Sequence, residues 1–265
     1  MRMLHTRRFA KTLREFLPAD AFAFGALLLL SAARSHAVFG INWGTPATIS
    51  ADSDVLNTNS LLYAYTFGDT SVPSATVNGV TFASFAAANA GAGPATVGNV
   101  TLTMSSDTFH SSNTAAGSAS TPFSSLPADY QGLLQSGVAD NAGNAITVSL
   151  GGLSSGTTYT IEVWTNDSTG TLTSSTGNPS ENDGTSIQGL NTKTLDVNST
   201  NATGGVGQYV VGTVANFTSI NFFLTASSGE KPEIAALEVR YAPEPATFGL
   251  LSLGGALLVS RRRRG

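Results

Sequence analysis

Apolar and polar residues alternate with a period of two along most of the chain from Val38 onward, the pattern of strands with one face on a core. Leu61, Tyr63, Tyr65 and Phe67 share one strand face. Val100, Leu102 and Met104 repeat the pattern, as do Ile146, Val148 and Leu150, then Tyr159, Ile161 and Val163. Val77-Asn78-Gly79-Val80 sets Asn-Gly between β-branched residues, the strongest short-range hairpin signal. Later strands are expected around 195–197, 208–214, 220–224 and 234–241, the last with Ala235, Leu237, Val239 and Tyr241 on one side. One helix is predicted where Leu126, Tyr130, Leu133 and Leu134 recur at helical spacing, with Pro127 near its start and Gly137 beyond its end. Residues 170–184 read as a long polar loop. About nine short strands without an internal repeat predict an all-β fold, an antiparallel sandwich with one short helix.

The two ends break this pattern. A basic stretch closing at Arg14 leads into the apolar run Ala21 to Ala33, and Ser35-His36-Ala37 follows with small residues at the positions a signal peptidase reads. Residues 1–37 are therefore expected to be a signal peptide cut after Ala37. The run falls short of the ~20 residues that span a bilayer. Residues 38–242 form the β-domain, and residues 243–265 are a separate tail. There Pro243-Glu244-Pro245 precedes an apolar stretch ending at Ser260, then Arg261, Arg262, Arg263 and Arg264. An apolar segment followed by arginines stops translocation and leaves the arginines in the cytoplasm. From Ala246 to Ser260 a helix would measure ~22 Å, short for a ~30 Å hydrocarbon core.

This tail resembles the PEP-CTERM sorting signal in three elements and their order. In that family an exosortase, a membrane-embedded cysteine enzyme, removes the helix near the motif, and the hosts are Gram-negative bacteria that commonly make extracellular polysaccharide. The resemblance implies export, a transient inner-membrane anchor, and a final place on the surface or in the matrix. A plain tail anchor would keep the same topology without processing.

Charge and composition narrow the chemistry of the middle. Of thirteen Lys and Arg in the chain, only Lys193, Lys231 and Arg240 fall within 38–242, against fourteen acids. Such a domain repels phosphate backbones, which disfavours nucleic-acid binding. There is no cysteine, so disulfides and thiolate metal sites are excluded. His110 is the one histidine beyond the signal segment: any serine triad would have to use it, and one histidine without cysteine builds no ordinary zinc site, so neither is expected. Paired acids, Asp52 with Asp54, Glu181 with Asp183 and Glu230 with Glu233, leave a polysaccharide-acting enzyme as the alternative reading. Calcium suits such acids better, since hard cations need only oxygen ligands, although turn acids without a metal are the preferred reading. Trp164 lies on the polar face of its strand. There it could stack on a sugar, or cover a second side of the sheet, which is the favoured role.

Gly152-Leu153-Ser154-Ser155-Gly156-Thr157-Thr158-Tyr159 and the closing Ile234 to Arg240 segment resemble galactose-binding-like jelly-roll sandwiches, the first also fibronectin type III domains. The jelly-roll resemblance implies loops at one edge that contact carbohydrate, and a structural calcium near Asp52, Asp54 and Glu238. The overall expectation is a non-catalytic surface or matrix protein for adhesion or contact with extracellular polysaccharide.

Overall fold

The structure, a computed structural model, describes residues 40–68, 72–86, 93–105, 108–110, 117–169, 184–226 and 231–242. The segment read as a signal peptide with Ala37, residues 170–183 of the stretch read as a polar loop, and the tail with Pro243, Glu244, Pro245 and Arg261 to Arg264 lie outside them. Among the described residues no helix is long and apolar enough to cross a membrane.

The chain opens with two short strands, β1 (Asn42–Trp43) and β2 (Ala47–Thr48), then β3 (Leu61–Gly68). The Asn78-Gly79 turn joins β4 (Ala75–Val77) to β5 (Val80–Ala86), with φ of 48° and 78° at the two turn residues. Both angles are left-handed, as a type I′ hairpin requires, which is why asparagine and glycine stand there. Next come β6 (Gly93–Val97), β7 (Val100–Met104) and β8 (Thr108–His110). Helix α1 (Ala128–Leu134) begins just after Pro127, with Asp129 in its first turn facing the positive end of the helix dipole. Strands β9 (Gly137–Ala139), β10 (Ala145–Leu150) and β11 (Thr158–Thr165) follow. The remainder is β12 (Gly184–Ile187), β13 (Lys193–Asp196), β14 (Gln208–Ala215), β15 (Ile220–Ala226), β16 (Glu233–Ile234) and β17 (Ala236–Tyr241).

These strands build two large sheets. One runs β1-β14-β11-β17-β3-β5-β4, with β2 also paired to β14; the other runs β13-β12-β15-β10-β7-β6. A small sheet of β16-β9-β8 lies beside them. Pairing is antiparallel except between β3 and β5, which are parallel, so the expected purely antiparallel sandwich is a mixed one. The short pieces β1, β2, β8, β9 and β16 are too brief to show a periodic signal, and β12 falls at the end of the stretch read as loop.

The main core lies between the two sheets. Tyr63, Tyr65, Phe67, Tyr159, Ile161, Val163, Leu237 and Val239 come from one; Val100, Leu102, Ile146, Val148, Phe222 and Leu224 from the other. A second core lies on the opposite face of the larger sheet. There α1 sets Tyr130, Leu133 and Leu134 on Val77, Phe82, Ala64, Trp164 and Ala236. Ala235 joins this second core instead of the first: it sits between β16 and β17 and breaks the alternation expected from Ala235 to Tyr241. The larger sheet is thus buried on both faces.

Gly212 shows how tightly the first layer closes. It pairs with Trp43 on one side and Ile161 on the other, and the indole and Ile41 occupy the space a Cβ would need. Trp43 in turn packs edge-on against Phe222, 5.4 Å between centroids. Gly212→Val is expected to unseat the indole and cost about 1–3 kcal/mol. A thermal melt checks this, at roughly 2–4 °C per kcal/mol for a domain of this size. An unchanged melting temperature would mean the ring does not rest there.

Candidate functional site

Two places in the fold carry chemistry beyond packing. The first is a set of carboxylates inside the second core. Strand register puts Glu162 directly opposite Glu238, both essentially without solvent contact. Arg240, two residues on and on the same face, donates from Nε to Glu238 Oε1 at 3.0 Å. Its Nη1 also donates to Asn59 O at 3.0 Å, tying the strand to the chain entering β3. The Leu56 amide donates to Glu162 Oε2 at 3.2 Å. Glu162 Oε1 and Glu238 Oε2 are buried and accept no hydrogen bond, which disfavours charge on both carboxyls at once. Burial, and then the neighbouring Glu238 charge, push the Glu162 carboxyl up to about 10. Burial also raises Glu238, against the pull of Arg240.

Asp52 and Asp54 sit on a single 3-10 turn at Asp52–Asp54. Asp54 closes that turn: its carboxylate accepts from the Ser50 amide at 2.6 Å, the Ala51 amide at 2.9 Å and Ser50 Oγ at 3.0 Å. Asp52 Oδ1 is buried without a partner. Glu238 is engaged by arginine. Among the described residues no three acidic or histidine side chains gather to hold a metal ion. The donor set expected for calcium at Asp52, Asp54 and Glu238 does not fit one, because a turn and a guanidinium already use two of its three members.

Trp164 is wholly buried. Its ring stands edge-on to Phe82, 5.6 Å between centroids, and its Nε1 donates to Tyr130 Oη at 3.1 Å. It therefore covers the second face of the sheet and cannot meet a sugar. Among the described acids, Glu162, Glu233 and Glu238 are buried strand residues and do not sit in turns. Glu233 is another buried carboxyl, its oxygen Oε1 lying 2.8 Å from where a Cβ on Gly137 would stand. Burial, then the charge of Asp167, raise it well above the ordinary carboxylate range. His110 falls in β8, opposite Gly137. Of the other acids paired in the sequence, Glu181, Asp183 and Glu230 lie outside the described residues.

The second place is an open groove of about 400 Å³ at one edge of the sandwich, lined by Ile41, Gln188, Phe217, Ile220, Asn221 and Phe223, with Gly40 and Gly189. Its walls are stitched together by backbone. Gln188 N donates to Phe223 O and Leu190 N to Ile41 O, both at 2.9 Å. Asn191 clamps β1, accepting from Trp43 N at 2.8 Å and donating to Trp43 O at 2.7 Å. Phe223 is 42% exposed although Phe222 and Leu224 on either side are buried, so its ring points outward on a fixed strand. Two aromatic rings and two neutral amides on a rigid rim suit a small uncharged polar ligand with an apolar face. Sequence reasoning passed over this groove; the signal was the Phe222-Phe223 pair, where alternation called for a polar residue. No family profile, curated protein or solved structure matches the chain.

Proposed function

We propose that the chain is an exported, non-catalytic bacterial surface or matrix protein, sorted through a PEP-CTERM-type tail, whose β-sandwich contacts carbohydrate. Localisation rests on the order of elements in the tail, Pro243-Glu244-Pro245, apolar stretch and Arg261 to Arg264. Signal peptidase and an exosortase are the processing partners in this reading, and the inner membrane is a stage on the way. The jelly-roll likeness of Gly152 to Val163 and of Ile234 to Arg240 belongs to the same reading.

The observation that supports the domain's role best is the groove bearing Phe223, Phe217, Gln188 and Asn221. Carbohydrate offers what these groups complement, an apolar ring face and a fringe of hydroxyls. The alternative, a secreted polysaccharide-acting enzyme using paired carboxylates, would have to work through acids other than Glu162 and Glu238, which are buried.

Changing Pro243, Glu244 and Pro245 to alanine is expected to leave export intact and block processing. The protein then stays in the inner membrane with the peptide from Phe248 to Gly265 attached. Mass spectrometry of the C-terminus reads the outcome. Native surface protein that still ends at Gly265 would replace sorting with a plain anchor.

A further inference from the structure

We propose that the outward face of the six-stranded sheet is a track for an uncharged polysaccharide chain, entered at the Phe217–Phe223 groove. The inference rests on the carbohydrate reading above and adds the ligand's class: a neutral polymer, held over several sugar units. Phe223 and Asn221 line the groove and also begin two rows that run over four of the six strands, from β15 through β10 and β7 to β6.

Strand register defines both rows. Phe223 pairs with Thr147, Thr147 with Thr103, and Thr103 with Pro94. One step along, Asn221 pairs with Ser149, Ser149 with Thr101, and Thr101 with Thr96. All eight are exposed or half-buried, while the residues between them on each strand point to the core or pack against it. Adjacent strands lie ~4.8 Å apart, so each row presents its groups at that repeat over ~14 Å. The result is a regular lattice of hydroxyls, each both donor and acceptor, leading away from an outward aromatic ring. The threonines are β-branched and restricted at χ1, so less freedom is lost when a ligand orders them. Thr96 and Thr101 already join through their hydroxyls at 2.8 Å.

Charge sets the class. β6, β7, β10 and β15 contain no acidic or basic residue, and neither does the groove lining. The domain around them carries fourteen acids and three bases. A uronate or sulfated chain would approach against that field with no cation on the track to receive it. A neutral chain meets no such cost, and its binding is insensitive to salt.

The test uses the full-length chain in a zwitterionic, sugar-free detergent. Neutral disaccharides and hexasaccharides of glucose, mannose and galactose are titrated beside a galacturonate hexasaccharide. A neutral hexasaccharide is expected to bind at least tenfold tighter than its own disaccharide, equally at 50 and 500 mM NaCl. Phe223→Ala should weaken both at least tenfold. The double variant Thr101→Val/Thr103→Val, two strands away from Phe223 and Asn221, keeps the β-branched shape; it should bring the hexasaccharide down to disaccharide affinity and leave the disaccharide, held at Phe223, unchanged. Equal affinity for both lengths, or a silent double variant, overturns the track while the groove reading survives. Tighter binding of the galacturonate overturns the neutral class. Absence of any binding removes both readings. A dimer in sedimentation that Phe223→Ala dissolves would make the face a contact between copies and overturn the proposal.

Discussion

Replacing Glu162 with glutamine is expected to raise the melting temperature at neutral pH and to flatten its decline toward alkaline pH. In the native state burial and Glu238 hold the Glu162 carboxyl near pH 10, whereas an unfolded chain ionises it near 4.5. Below about 4.5 both states carry the proton and the native state bears no penalty. Between about 4.5 and 10 the unfolded state releases a proton that the native state keeps, so stability falls as pH rises, by on the order of 1 kcal/mol per unit. Glutamine has no proton to release and keeps an N–H for Glu238. Melts of both proteins from pH 5 to 9 decide it. The native protein should lose roughly 8–16 °C across that range, more than the variant does, and the variant should be the more stable at pH 8. A variant that melts lower at pH 8 would mean Glu162 is ionised in the fold.

Arg240→Leu is expected to cost about 3–5 kcal/mol, the usual consequence of leaving a buried charge without its partner. Arg240 is the partner of Glu238 in the one ion pair formed among the described residues, and it is 4% exposed. Its loss also frees the carbonyl of Asn59 from its tie to β17. Adding Glu238→Gln to the leucine variant should recover part of the loss, because the amide is neutral. Chemical denaturation of the single and double variants measures both quantities. A double variant no more stable than Arg240→Leu would place the cost in lost packing, not in a stranded charge.

Much of the framework was legible because local chemistry and tertiary burial agree. Asn78-Gly79 makes the turn its φ angles demand, and Ile146, Val148 and Leu150 face inward as alternation implies. Alternation misled on the second face of the larger sheet, where polar positions do not face water. Glu162 and Thr66 occupy polar strand positions, yet both are wholly buried, because α1 and the chain around Leu56 cover that face. Trp164 and the small residues Ala64 and Ala236 on the same face were the trace of a second core. The carboxylate pair was hidden for a different reason. Glu162 and Glu238 stand far apart in the chain and meet only through strand register, which one sequence does not specify.

The six-stranded sheet ends at β6 on one side and β13 on the other. Sheet borders are where separate molecules zip into one another, above all when many copies are crowded together. Pro94 stands in β6 and has no amide hydrogen to offer a newcomer, while Lys193 places a charge on β13. Both borders are thus poor templates for strand exchange. Crowded copies are expected to remain separate folded units, with no fibre growing from the sheet.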